Sequence, residues 1–77
     1  MHDKVEFHDI DSSNLHQIGY NPETQELHVK FKSGTYGTYA PIPREDYHAL
    51  LTTTESKGSF FHNQIKLNPD YKFTKIK

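Results

Sequence analysis

The sequence contains no cysteine and no tryptophan, and its apolar residues never run for more than three positions. The lack of cysteine excludes disulfide bonds and thiolate zinc sites and fits a reducing compartment. No long apolar run is present, and no basic and apolar leader follows Met1, so the sequence predicts neither a membrane span nor export. We therefore expect a cytoplasmic protein without a membrane partner.

Apolar residues are also scarce, at 32% of 77 residues with a mean hydropathy of -0.89. A chain of this length buries only about 60% of the surface of its unfolded form, which leaves room for one core. Ten tyrosine and phenylalanine residues nevertheless indicate that the chain folds. We expect one domain over residues 1–77.

The net charge of -1 conceals an uneven distribution of charge. Residues 1–56 hold four basic against nine acidic side chains, a balance of -5. Residues 57–77 hold five lysines against Asp70, a balance of +4. The last third is thus a candidate surface for an anionic partner, although a solvated surface also shows such asymmetry by chance.

Alternating apolar residues predict strands in the first half. Residues 1–10 form either an arm or an edge strand, because their alternation is weak. Leu15 and Ile18 have opposite parity, which a bulge or a late strand start would reconcile. The clearest strand runs from Leu27 to Phe31 after the turn at 21–24, and another follows Ser33-Gly34. Short turns between such strands predict an antiparallel meander.

The second half is predicted to be helical before a final extended segment. Pro43 suits the first position of a helix that stops at the threonines beginning with Thr52. A second short helix is predicted from Ser56 or Lys57 to Lys66. Residues 71–77 are either a last strand or a flexible basic end. The predicted class is α+β, a small antiparallel meander followed by two short helices.

These landmarks resemble, in order and spacing, the KTSC family, small domains named after the C-terminal extension of some lysyl-tRNA synthetases and also found as stand-alone bacterial proteins. The matching residues cover most of the chain. They are Ser12-Ser13-Asn14, Ile18-Gly19-Tyr20, Leu27, Val29, Phe31, Ser33-Gly34, Tyr39, Ile42-Pro43, Tyr47, Leu50-Leu51, Ser56, Gly58, Phe60-Phe61 and Ile65-Lys66.

The resemblance implies a short meander followed by helices, a bacterial or phage origin, RNA binding and no established activity. The sequence departs from the family at one place. The family's central feature looks like Tyr-x-Tyr, whereas here Gly37 precedes Thr38 and Tyr39. Only Tyr39 carries over, unless Tyr36 substitutes after a bulge.

Basic and aromatic residues together suggest a nucleic-acid-binding surface. Lysines bind phosphates, and each base stacked on an exposed ring contributes about 1–3 kcal/mol. The candidate residues are Tyr36, Tyr39, Lys57, Phe61, Lys66, Lys72 and Lys75. The opposing interpretation is that the rings form the core of a domain poor in aliphatic residues, while the lysines keep it in solution.

Motifs for other chemistry are weak. The segment from Ser56 to Ser59 is either an anion site at a helix start or an ordinary capped helix with Gly58 at a close contact. No two of the six histidines are four residues apart, and Glu45 and Asp46 on one helix would point about 100° apart. We expect no metal, no cofactor and no catalytic activity.

The sequence therefore predicts a small non-catalytic binding module for RNA or another anionic partner. The alternative is a protein-interaction or self-association domain of unknown partner, which exposed strand edges and surplus aromatic residues would serve. A monomer is the expected state.

Overall fold

The computed structural model describes residues 5–77, which form an antiparallel sheet of five strands and a helical layer. The strand order β1-β2-β3-β4-β5 follows the chain, so the first four strands form a meander and the fifth returns to pair with the fourth. The predicted α+β class is confirmed. The elements are β1 (Phe7–Asp9), β2 (Leu15–Asn21), β3 (Glu26–Phe31), β4 (Tyr36–Ala40), α1 (Arg44–Thr52), α2 (Lys57–Phe61), a π-helical segment (His62–Lys66) and β5 (Lys72–Lys75).

Short turns join the strands of the meander as the sequence predicts. In the turn between β2 and β3, the Asn21 side-chain oxygen accepts a hydrogen bond from the Glu23 amide at 3.0 Å. Between β3 and β4, Gly34 adopts a φ of 101°, a conformation that L side chains rarely take. These two local devices fix the direction of β3 and β4.

A bulge near the start of β2 confirms one of the two explanations for its irregular pattern. Leu15 pairs with Phe31, but Gln17 pairs with Lys30, so His16 is the extra residue. The shift turns both Leu15 and Ile18 toward the core, where each is fully buried.

The helices begin and end close to the predicted positions. Pro43 lies immediately before α1 rather than within it, because its backbone is extended, and its carbonyl accepts from the Asp46 amide at 3.0 Å. The helix ends at Thr52, as expected from the β-branched run that follows. The second helical segment runs to Lys66, although its last five residues adopt π-helical geometry.

The hydrophobic core lies between the helices and one face of the sheet. Tyr20 ties the two layers together, since its hydroxyl donates to the Ile42 carbonyl and its ring stacks on Tyr47 at 4.7 Å. The buried core residues are Ile10, Leu15, Ile18, Leu27, Val29, Tyr39, Ile42, Leu50, Phe61 and Ile65.

The two ends of the chain contribute the edge strands. Of the segment predicted as an arm or an edge strand, Phe7–Asp9 pairs with β2, while residues 1–4 lie outside the described residues. Of the two predictions for the tail, the strand is confirmed, because Lys72–Lys75 pairs with β4. Tyr71 leads into it and donates a hydrogen bond of 2.5 Å to the Asp46 carboxylate of α1.

Candidate functional site on the open face of the sheet

The sheet has a covered face, which packs against the helices, and an open face, which the described residues leave without helices. Side chains alternate between the two faces, and directly paired residues share a face. Leu27 pairs with Tyr39 on the covered face, whereas His28 pairs with Thr38 on the open face. By the same register, Phe7, Lys30 and Tyr36 also lie on the open face.

Gly19 allows Phe7 to reach the middle of the open face. Phe7 pairs with Gly19, which in turn pairs with His28, so no side chain separates the two rings. A Cβ at residue 19 would lie 2.9 Å from the carbonyl oxygen of Glu6 and in contact with Val5. The close approach of the β1 segment therefore requires glycine here.

Three rings form a cluster on the open face, which we call the aromatic cluster (Phe7, His28 and Tyr36). The Phe7 ring lies edge-on to the other two, with centroids 6.1 Å from each. Such edge-to-face contacts favour a fixed arrangement of the rings. Phe7 and Tyr36 are half-buried residues, and the His28 side chain is 14% exposed.

Lys30 places a positive charge on this cluster. Its Nζ lies 4.2 Å from the centroid of the Phe7 ring and 5.7 Å from that of Tyr36. Both distances fall within the range of cation–π attraction. Lys30 as a whole is half-buried.

A hydrogen bond joins the other two members of the cluster. His28 Nδ1 lies 2.8 Å from the hydroxyl oxygen of Tyr36, and His28 Nε2 lies 3.8 Å from the Glu26 carboxylate. Burial lowers the pKa of His28 below 6.5, and the nearby Glu26 only partly opposes this. Burial raises the pKa of Tyr36, and Glu26 raises it further. Neutral His28 and neutral Tyr36 are therefore the favoured forms at neutral pH.

Chemically, the open face offers flat aromatic surfaces, the ammonium group of Lys30 beside them and a few hydrogen-bonding groups. Aromatic rings stack on flat ligands and an ammonium group attracts anions, so these groups suit a binding surface for flat, anionic ligands. Within the described residues, no group of three His, Asp or Glu side chains lies close enough to hold a metal ion.

Of the aromatic residues predicted to bind, only Tyr36 lies on the open face. Tyr39 and Phe61 are 5% and 1% exposed, and their rings pack edge-on at 5.3 Å within the core. Neither ring is accessible to a base, so both are corrected to core residues. The physical reason is that the aliphatic residues alone are too few to fill the space between sheet and helices.

The predicted lysines belong to different elements of the fold. Lys57 begins α2 and Lys66 ends the π-helical segment, so both belong to the helical layer. Lys72 pairs with Ala40 on the open face, whereas Lys75 pairs with Gly37 on the other face. Strand alternation therefore places Lys72 and Lys75 on opposite faces of the sheet, and the binding role of the four lysines stays a prediction.

Two residues of the open face were missing from the predicted site. These residues are Phe7 and Lys30. Phe7 alternates with the polar residues on either side of it in the sequence. Lys30 lies two residues after His28, so both side chains lie on the face opposite to Leu27 and Val29. The parity signal was thus present in the sequence, but it does not say whether a helix covers the face to which a residue points.

The position of the absent family tyrosine is filled by a ring from another strand. A Cβ at residue 37 would lie 2.5 Å from Phe73 Cζ and 2.8 Å from the Thr74 carbonyl oxygen. The Phe73 ring lies against Gly37 and 4.9 Å from the Tyr39 ring. Tyr36 does not substitute for the family tyrosine, because it lies on the opposite face.

A polar groove of about 350 Å³ lies between α2 and the turn before β2. The Ser56 hydroxyl accepts from the Ser59 amide at 3.4 Å and caps α2. A Cβ at Gly58 would lie 2.7 Å from the Ser12 hydroxyl oxygen, so glycine allows α2 to approach the turn. The interpretation as a capped and closely packed helix is confirmed here.

The fold and this site define a class of protein, a small α+β domain whose antiparallel sheet is covered by helices on one face and open on the other. Residues 11–71 match the model of the KTSC domain. This is most of the chain, so the protein belongs to the KTSC domain family, as the sequence resemblance implies. No helix within residues 5–77 is long and apolar enough to span a membrane.

Two similar proteins can be compared with this chain. An uncharacterized protein from Stutzerimonas stutzeri (strain A1501) is 39% identical over 67 residues, which are 87% of this chain and 92% of that protein. The crystal structure of a KTSC domain protein from Yersinia pestis matches with a TM-score of 0.84 at 23% identity, over 96% of this chain and 100% of the other. The second likeness concerns the fold alone. Neither relative carries a named ligand.

Proposed function

We propose that this KTSC domain is a small, non-catalytic module that binds single-stranded RNA on the open face of its sheet. The observation that carries the proposal is the aromatic cluster with Lys30 at its centre. An uncovered antiparallel sheet with paired rings is the platform on which other RNA-binding domains stack bases. The proposed ligand implies a cytoplasmic location, which fractionation of the source cells would check.

The rings of Phe7 and Tyr36 support base stacking. Both are half-buried residues, and their edge-on contact at 6.1 Å holds the two rings in place. A ring held in this way loses little entropy when a base stacks on it, and each stacked base contributes about 1–3 kcal/mol. Two bases on this platform would account for binding in the micromolar range or weaker.

Lys30 supports contact with phosphate. In the free protein its ammonium group lies over Phe7 at 4.2 Å. A base that stacks on Phe7 would displace this group toward the phosphate backbone of the RNA. The exchange of a weak cation–π contact for a phosphate contact favours binding, and it makes the affinity depend on salt. The net charge of -1 keeps non-specific attraction low.

The test is titration of the isotope-labelled protein with short single-stranded RNA at low ionic strength. We expect salt-sensitive chemical-shift changes centred on Phe7, His28, Lys30 and Tyr36. The F7A and Y36A variants should each weaken binding by about 5-fold or more, the loss of one stacked base. The variant F73A is the matched control, since it removes a ring of the same kind from the other face.

The charge contribution has a separate test. K30Q should lower the slope of log affinity against log salt concentration by about 0.7, the value for one phosphate contact on a single strand. K32Q removes an exposed lysine just beyond the same strand and should leave the slope closer to that of the wild type. The proposal fails if no salt-sensitive shifts occur, or if the shifts map to the helical layer.

A second candidate function is protein–protein interaction through the free edges of the sheet. Within the described residues, β1 pairs only with β2 and β5 only with β4. Each edge strand therefore keeps backbone donors and acceptors that another strand would satisfy.

A further inference from the structure

We infer that the protein self-associates head to tail, with the acidic β1 edge of one copy paired with the basic β5 edge of the next. This inference deepens the second candidate function and does not depend on RNA binding. It rests on two edges of one sheet that carry opposite charges. Both edges belong to the part of the chain that the structure describes.

The β5 edge is basic. Lys72 and Lys75 lie on opposite faces of this strand, and Lys77 follows, so cations flank the edge on both sides. All four residues of the strand are exposed, and the exposed fractions of Phe73 and Ile76 are 39% and 50%. The edge thus joins unpaired backbone groups, positive charge and apolar surface.

The β1 edge is acidic. Asp9 ends the strand and Asp11 follows it, and both are exposed. Asp9 is held in place because its carboxylate accepts a 2.8 Å hydrogen bond from the Gln17 amide on β2. Glu6 adds a third carboxylate before the strand, although it lines a shallow pocket together with Arg44.

These charges select one pairing out of three. Two β5 edges would bring lysines together, and two β1 edges would bring carboxylates together, so both symmetric pairings are opposed. Only β1 against β5 brings opposite charges into contact. Within one chain the two edges are separated by four strand spacings, about 19 Å, so the partner must be a second copy.

The topology fixes the geometry of this contact. Because neighbouring strands alternate in direction, β1 and β5 run the same way. When a second copy adds with its helices on the same side of the sheet, its β1 therefore pairs in parallel with β5 of the first copy. The two sheets then form one continuous sheet. Such a contact is heterologous, so it leaves a free edge at each end and allows further copies to join. With three residues in β1 and four in β5, each contact is weak.

Sedimentation velocity across a concentration series tests the inference on the wild-type protein. At low ionic strength, the sedimentation coefficient should rise steadily with concentration, and high salt should suppress the rise. A strict monomer at the highest concentration and lowest salt would overturn the inference. A discrete dimer with no further growth would also contradict it, because that outcome requires a symmetric contact.

Two charge-reversal variants give the sharper test. D9K/D11K makes both edges basic, and K72E/K75E makes both edges acidic, so each variant alone should associate at least about 10-fold more weakly. An equimolar mixture should regain association, since opposite edges are then available again. Failure of the mixture to associate, with both variants folded by circular dichroism, would overturn the inference.

The control variant K57E/K66E makes the same change in net charge as K72E/K75E, but in the helical layer. It should associate like the wild type. If it loses association equally, net charge rather than the strand edge is responsible, and the inference fails. The outcome is separable from RNA binding, because Y36A should lose RNA affinity while keeping its association.

Discussion

The two faces of the sheet are built from the same strands but held together by different forces. On the covered face, Ile18, Leu27 and Val29 are fully buried beneath the helices, and their contribution comes from apolar area removed from water. On the open face, Phe7, His28 and Tyr36 are half-buried and contact mainly one another. The difference shows that stability is concentrated on one face, which leaves the other available for binding.

The largest effect is expected from a cavity on the covered face. Leu27 is fully buried, so L27A should lower the free energy of unfolding by about 3 kcal/mol. The matched change on the open face is T74A at an exposed position, which should cost less than about 0.5 kcal/mol. Chemical denaturation of both variants measures the contrast, and equal losses would show that the two faces contribute alike to stability.

The second effect concerns Gly37, against which the Phe73 ring packs on the covered face. G37A adds a Cβ 2.5 Å from Phe73 Cζ and 2.8 Å from the Thr74 carbonyl oxygen. We expect a loss of about 2 kcal/mol through displacement of β5. In a double-mutant cycle, F73A should relieve part of this loss, because only the backbone contact remains. If the losses of stability in G37A and F73A simply add in the double variant, the Phe73 ring is not what opposes the added Cβ.

A smaller effect is expected at the hydrogen bond that joins the start of β5 to α1. Tyr71 donates to Asp46 at 2.5 Å, so Y71F should lower the free energy of unfolding by about 1 kcal/mol. This hydrogen bond, with burial, raises the pKa of Tyr71 from 10.0 to about 12.

The raised pKa gives this contribution a pH dependence of known sign. Below pH 10 the hydroxyl is protonated in both states, and the stabilisation is fully present. It is lost as the pH rises through about 12, because the unfolded state releases its proton first. The difference in the free energy of unfolding between the wild type and Y71F should therefore shrink between pH 10 and about 12. A difference that stays constant across this range would contradict the assigned role of the hydrogen bond.

The smallest effect is expected on the open face. Burial lowers the pKa of His28 below 6.5, so the unfolded state binds a proton before the folded state does. Stability should therefore fall slightly as the pH drops below 6.5. An NMR titration of the imidazole, with H28Q as the variant that removes the effect, measures it. A pKa at or above 6.5 would show that the cluster does not exclude water.

Much of the fold was predictable because its signals are local. The alternation at Leu27, Val29 and Phe31 predicts β3, and the mismatch between Leu15 and Ile18 predicts the bulge that the register of β2 contains. Ser56 predicts the start of α2 through its capping hydroxyl. Each of these signals involves residues within a few positions of one another.

The candidate site was less predictable, because accessibility depends on distant contacts. Tyr36 and Tyr39 look alike in sequence, yet one lies on the open face and the other is buried against Phe61. Phe7 becomes part of the site only because Gly19 admits it to the middle of the sheet. The lysines of the last third form a block in sequence but are divided among two faces and the helical layer.

The order of strands and helices, their turns, the family and the opposite charges of the two ends can all be read from the amino-acid sequence, because spacing and composition encode them directly. Which face the helices cover, and with it which rings are core and which are accessible, depends on the packing of the folded chain. The physical reason is that a strand has two equivalent faces until another layer packs on one of them. Here the apolar side of α1 and α2 makes that choice, through contacts between residues far apart in the chain.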